Sequence, residues 1–156
     1  MATATLPYFY ETEVEWTDQR RGDLESPGLA SLQVASPPEF HGHEGVWTPE
    51  HYFVAAVNSC FMTTFLAIAE MSKLEFVSFD CRAVGKLEKV EGAGLQITEV
   101  VVRPKLMIRQ GKDLERAQRM LERAQRILEK AERNCLISNS IKSTVRLEPE
   151  FVKAAA

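Results

Sequence analysis

The chain has 156 residues, which fits one domain over 1–156 with a core of useful size. It is 45% apolar and 26% charged, and its formal net charge of -3 gives no electrostatic ground for binding nucleic acid or an anionic membrane. No uncharged apolar run is read as reaching the ~18 residues of a membrane span, and "MATATLPYFYETEVEW" lacks the basic and then apolar order of a secretion signal. The expectation is a cytoplasmic protein. Its three cysteines are then thiols in a reducing compartment, either core residues or working groups, and not a disulfide framework.

"YFYETEVEW" alternates apolar and polar from Tyr8 to Trp16 and predicts a half-buried strand. "TDQRRGDLES" reads as a turn with Gly22 and Asp23 at its corner. "LASLQVAS" predicts a short strand ending at Pro37 and Pro38, and "EFHGHEGVW" a loop. The opening is therefore a hairpin or meander. A helix starts at Thr48, a capping residue, followed by Pro49 at the first helical position and Glu50 at the positive helix end. From Tyr52 to Met71 it is apolar on nearly every side, as a helix buried at the centre of a molecule or an oligomer would be.

"FVSFDCRAVGKLEKV" and "LQITEVVVRPKLMIR" predict two strands joined by an "EGAG" hairpin turn. "DLERAQRMLERAQRILEKAERNC" then places Leu114, Leu121, Leu128 and Cys135 seven apart, and Ala117, Ala124 and Ala131 likewise. Seven residues fall short of two helical turns by roughly 20°, so this is one apolar stripe with Arg116, Arg119, Arg123 and Arg126 off it. "STVRLEPEF" is a last strand, and the tail of about 152–156 is expected to be loose. Strands, helix, strands, helix, strand makes an α+β fold of largely antiparallel pairing around a buried central helix, with a second long amphipathic helix.

Read by themselves, the cysteines leave two readings open. Cys60 in the apolar helix and Cys81, alternating with Phe79 and Ala83, suit a core. Cys135 ends the amphipathic helix, yet "LISNSIK" could open another with Cys135 near its N-terminus, where thiolates are favoured. Cys60 and Cys135 both lie on apolar helix faces that need covering, and packing of the two helices on each other could bring the sulfurs together. There is no CxxC. His41 and His43 have no CxxC or HxxxH partner, so no metal site is expected.

"TPEHYFVAAVNSCFMTTFLAIAE", followed some 75 residues after its cysteine by "AERNCLISNSIK", resembles the OsmC/Ohr family of osmotically inducible protein C and organic hydroperoxide resistance proteins. The matching signatures are T-P-E with a cysteine ten residues after the Glu, and a late cysteine followed by x-x-S-N. The resemblance covers roughly Tyr10 to Leu147. It implies an intertwined homodimer with an OsmC-like fold. It also implies a peroxiredoxin-like thiol peroxidase that reduces organic hydroperoxides without metal, flavin or other cofactor. Carried over residue by residue, Cys60 is the attacking thiol, Cys135 the resolving thiol and Glu50 the carboxylate at the helix start. The family's N-terminal arginine falls on Arg20 or Arg21 of "QRRGD". Leu136 departs from the family, where many members have proline.

On that reading Glu50, about 15 Å from Cys60 along an unbroken helix, positions the arginine and does not touch the sulfur. The reductant implied is an external dithiol, which in the family can be a lipoyl group. The other function consistent with the resemblance is a non-enzymatic dimer that senses redox state or binds a small ligand.

Overall fold

A computed structural model describes residues 5–109 and 114–154. Asp113, at the expected start of the second helix, lies outside them. The chain divides into two compact units, Met1–Tyr52 and Phe53–Ala156, with the boundary inside the first long helix.

The first unit holds a three-stranded antiparallel sheet in the order β1 (Glu13–Asp18), β2 (Arg21–Glu25), β3 (Leu32–Ala35). The first turn does not fall at Gly22 and Asp23, as the sequence suggested. Gln19 makes it, with a left-handed φ of 45°, and the Trp16 indole N–H donates to its carbonyl at 3.0 Å. Gly22 lies instead within β2, opposite Trp16, where a Cβ would come within 2.6 Å of the Glu15 carbonyl oxygen. The glycine serves close approach and not a turn. The start of the helix α1 (Pro49–Met71) follows the expected signals. Thr48 Oγ1 accepts the His51 N–H at 3.3 Å, and Pro49 occupies the first helical position.

The second unit is a four-stranded sheet covered by helices. β4 (Ser78–Val90) pairs antiparallel with β5 (Gly94–Arg109) through the predicted hairpin, placing Phe79, Cys81, Ala83 and Gly85 opposite Leu106, Pro104, Val102 and Val100. These residues share one face. α1 contributes Val57, Phe61, Phe65 and Ile68 to the core on that face, and α2 (Leu114–Asn134) contributes Ala124, Ile127, Leu128 and Ala131. Phe65 stacks on Phe79 with ring centroids 4.7 Å apart. Gly85 lets α1 lie close, since a Cβ there would sit 2.5 Å from Val54.

The C-terminal segment differs from the single strand expected. Pro149, which has no N–H to give a ladder, separates β6 (Thr144–Leu147) from β7 (Glu150–Ala154), and both run parallel to β5. Val152, Lys153 and Ala154 therefore belong to a sheet and not to a loose tail; 155–156 lie outside the described residues.

Two further expectations change. α1 is long and apolar enough, by length and composition alone, to cross a membrane, although the sequence reading found no such run. Its Val57–Phe61–Phe65–Ile68 face packs in the core, while Met62 and Leu66 remain exposed. The all-round apolar character is thus only half used within one chain. On α2 the apolar stripe deepens along the helix, from exposed Leu114 to fully buried Leu128 and Cys135.

Candidate active site

Cys60 lies about three turns into α1, next to Phe61 of the buried face, and is half-buried. Cys135 follows the last residue of α2 and is fully buried. Their two helices pack on the same side of β5, Cys60 lies against the core that includes Cys135, and each thiol influences the other's ionisation. The pair that the helix faces allowed is therefore formed. Cys81, on β4, is not part of it.

The three thiols differ in their electrostatics. Burial pushes Cys60 up, but it is opposed by the N–H of Ile137, the Cys135 thiol, the Thr64 hydroxyl and the N–H of Leu136. Together these donors outweigh burial, and the Cys60 pKa falls below the ordinary thiol value. Cys135 moves the opposite way. Burial raises it, the Ser138 hydroxyl and N–H oppose, and proximity to Cys60 raises it further. Cys81 is pushed up to about 11 by burial, only partly offset by the Arg103 N–H. A thiol shifted towards its anion thus sits beside one shifted towards its protonated form, and the third is pushed up to about 11.

The local causes are simple. Thr64 is one helical turn after Cys60, so its hydroxyl lies over the sulfur. At the other thiol, α2 stops and the chain turns through Ser138–Ser140, the Asn139 N–H donating to the Cys135 carbonyl at 3.0 Å. In the sequence Leu136 stood out only as a departure from the family's proline and Ser138 only as part of the x-x-S-N signature, while Thr64 and Ile137 did not stand out. For the two side chains the signal was available as spacing: Thr64 at four residues from one thiol, and Ser138 at three from the other.

The remaining site residues lie in the first unit. Arg20 is exposed and its guanidinium bonds the Phe40 carbonyl. Arg21 opens β2 and is half-buried. Its Nη2 donates to His43 Nδ1 at 3.2 Å, and its Nε is 3.6 Å from Asp18 Oδ1 in an ion pair without hydrogen-bond geometry. Glu50 is in the first turn of α1. Arg21 Nε and Glu50 Oε2 are both buried and take no hydrogen bond. Among the described residues no cluster of three or more His, Cys, Asp or Glu could hold a metal ion.

An α+β sheet-and-helix unit with one thiol in the middle of its first helix and a second just after its other helix defines the class: an α+β protein with a neighbouring pair of thiols. The model of the OsmC-like protein family matches residues 42–150, and the chain belongs to that family. Among solved structures, an OsmC-like protein of unknown function from Vibrio cholerae is 25% identical, with a TM-score of 0.80, covering 92% of this chain and 99% of that one. An organic hydroperoxide resistance protein OsmC from Legionella pneumophila is 22% identical, with a TM-score of 0.69, over 94% of this chain and 98% of that one. One from Elizabethkingia anophelis is 20% identical, with a TM-score of 0.69, over 97% and 100%. At these identities the last two show the shared fold. Comparison with curated proteins found no match.

Proposed function

We propose that the protein is a thiol peroxidase that reduces organic hydroperoxides to alcohols. The observation that carries this reading is the facing pair with opposite tendencies, Cys60 towards thiolate and Cys135 towards thiol. The Cys60 thiolate attacks the outer peroxide oxygen, the O–O bond breaks, and the alkoxide leaves to take up a proton as the alcohol. Cys60 is now a sulfenic acid. The Cys135 sulfur attacks it, a disulfide forms and water leaves. An external dithiol, of which a lipoyl group is one chemical type, returns both thiols by two exchanges and is itself oxidised to a disulfide. No metal, flavin or other cofactor enters the cycle.

Arg21 suits the role of peroxide-facing cation better than Arg20, because its Nε is buried and takes no hydrogen bond, whereas the Arg20 guanidinium is exposed and occupied by Phe40. A guanidinium would stabilise charge developing on the leaving oxygen, and Glu50 is the carboxylate that would orient it. We further propose a homodimer. The exposed Met62 and Leu66 on α1, and Val14 and Trp16 on β1, are apolar surface that a second copy would cover. Sedimentation should give twice the chain mass of 17.6 kDa. A folded monomer at micromolar concentration would argue against it.

The test of function is consumption of cumene hydroperoxide by the reduced protein. One equivalent should oxidise two thiols and remove two hydrogens from the intact mass, and added dithiol should sustain many turnovers. A protein that loses its thiols once but never turns over with any dithiol is a sensor and not an enzyme. One whose thiols ignore the peroxide is neither.

A further inference from the structure

The row of arginines on α2 has no part in the thiol chemistry. Arg116, Arg119 and Arg123 are spaced by three and four and share one helical face. With Met120, that face forms one wall of a cavity of about 350 Å³, and Lys73, Leu74 and Glu75, just after α1, form the other. Four cations and one carboxylate therefore line a single cleft in a chain whose net charge is -3. Arg123 Nη2 donates to the Ser72 carbonyl and so ties α2 to the end of α1. Arg119 pairs with Glu115 at 3.5 Å, but both side chains are exposed, and a pair of that kind contributes little. Leu74 is buried and Met120 partly so, which gives the cleft an apolar floor between its cations. The end of α1 at Met71 is about 16 Å along the helix from Cys60, and Arg123 is about as far from the end of α2, so the cleft is separate from the thiol pair.

The turn that carries Lys73 supplies a second observation. The Leu74 N–H donates to the Ala69 carbonyl and the Lys73 N–H to that of Glu70, both at 2.9 Å, which is the pair of bonds that closes a helix on a left-handed residue. That residue is Lys73, with a φ of 51°. Glycine takes this conformation freely, and lysine takes it at a steric cost. The turn itself needs no amine. What lysine adds over glycine is a cation beside the cleft, and a residue held in a disfavoured backbone region is a pointer to function.

We propose that this cleft binds a small organic phosphate. Arg119 takes two phosphate oxygens with its planar fork, Lys73 adds a point charge from the opposite wall, and the apolar body of the ligand rests on Leu74 and Met120. A phosphate dianion displaces the exposed Glu115 carboxylate from Arg119. A concave cleft with Glu75 in its wall suits one compact dianion better than the flat anionic face of a membrane.

The probe is phenyl phosphate, titrated into the reduced protein at low salt and followed by calorimetry and by amide NMR signals. It should saturate one site, move the signals of 73–75 and 116–123, and weaken as salt is added. Inorganic phosphate should bind more weakly, and phenol should not bind. Arg119→Gln and Lys73→Gly should each weaken binding about tenfold. Lys73→Gly should at the same time raise the urea midpoint, because glycine suits the left-handed turn, so its lost affinity cannot be lost folding. Arg126→Gln removes an arginine of the same helix outside the cleft and should keep the parent affinity, as should Cys60→Ser. Binding that never saturates, parent affinity in Arg119→Gln and Lys73→Gly, or an equal loss in Arg126→Gln would overturn the proposal. So would inorganic phosphate binding as tightly as phenyl phosphate. Sedimentation with phosphatidylglycerol vesicles by a protein that ignores phenyl phosphate would overturn it too, and would assign these cations to a lipid surface.

Discussion

Labelling the three thiols in competition puts a number on their different surroundings. At pH 8 a thiol with a pKa of about 11, as burial gives Cys81, is ionised to about one part in a thousand. Cys60 lies below the ordinary thiol value of 9.0, so more than about one part in eleven is thiolate. Thiolate population alone therefore favours Cys60 by at least about ninetyfold. The more basic thiolate is intrinsically the better nucleophile, with a Brønsted slope of about 0.4–0.5, which over two pH units returns roughly eightfold to Cys81. Population wins. Cys60 should be alkylated at least about tenfold faster than Cys81. Cys135, fully buried and with a raised pKa, should also be slower than Cys60. The assay is a short pulse of iodoacetamide at pH 8 on the reduced, folded protein, quenched and quantified peptide by peptide. Equal rates at Cys60 and Cys81 would refute the argument that the donors around Cys60 outweigh its burial.

Other perturbations separate roles and packing. Cys60→Ser should abolish even the first equivalent of peroxide consumption, while Cys135→Ser should consume it and gain one oxygen, then two or three with excess peroxide, as intact mass will show. Gly85→Val should destabilise by about 1–3 kcal/mol in denaturant titration, because its Cβ would meet Val54 at 2.5 Å. Adding Val54→Ala should recover part of that loss, and strict additivity of the two changes would refute the contact. Alkali should also expose Cys81: the folded chain holds its proton up to about 11 whereas the unfolded chain releases it near 9.0. Stability present below pH 9.0 is then lost as pH rises through about 11, by roughly 1–2 kcal/mol, and Cys81→Ala should flatten that decline. Parallel pH profiles for parent and variant would count against it.

How far the sequence carried depends on what each feature rests on. The helix start at Thr48-Pro49-Glu50 and the β4–β5 hairpin were legible because capping and alternation are local. The corner at Gly22 was misplaced because glycine has two uses, positive φ and close approach, and only the neighbouring Glu15 carbonyl decides between them. Pro149 was read through, so two short parallel strands looked like one. The membrane-like composition of α1 and its exposed Met62–Leu66 face show the limit of composition: it records apolar surface but not what covers it. At the site, the two thiols were visible as candidates because both sat on apolar helical faces. The N–H groups of Leu136 and Ile137 were not, since a backbone donor carries no residue type.

The thiol pair follows from the same packing that builds the core. Phe61 and Phe65 seat α1 against the sheet, Gly85 sets how closely it lies, and Cys60 is carried with the helix. The seven-residue spacing of α2 buries Leu128 and, two turns later, Cys135, so a heptad that looks like coiled-coil patterning delivers a sulfur to the other helix. α2 then ends, because Asn139 takes up its Arg133 carbonyl and turns the chain. Had the helix continued, the N–H groups of Leu136 and Ile137, which help to lower the Cys60 pKa, would be spent on carbonyls one turn back. Ending the helix at this point therefore goes with two features at once: Cys135 is buried in the core, and the two thiols have opposite ionisation tendencies. A longer α2 would keep the core and the cysteine spacing but lose the asymmetry between the thiols, and on that asymmetry the proposed chemistry depends.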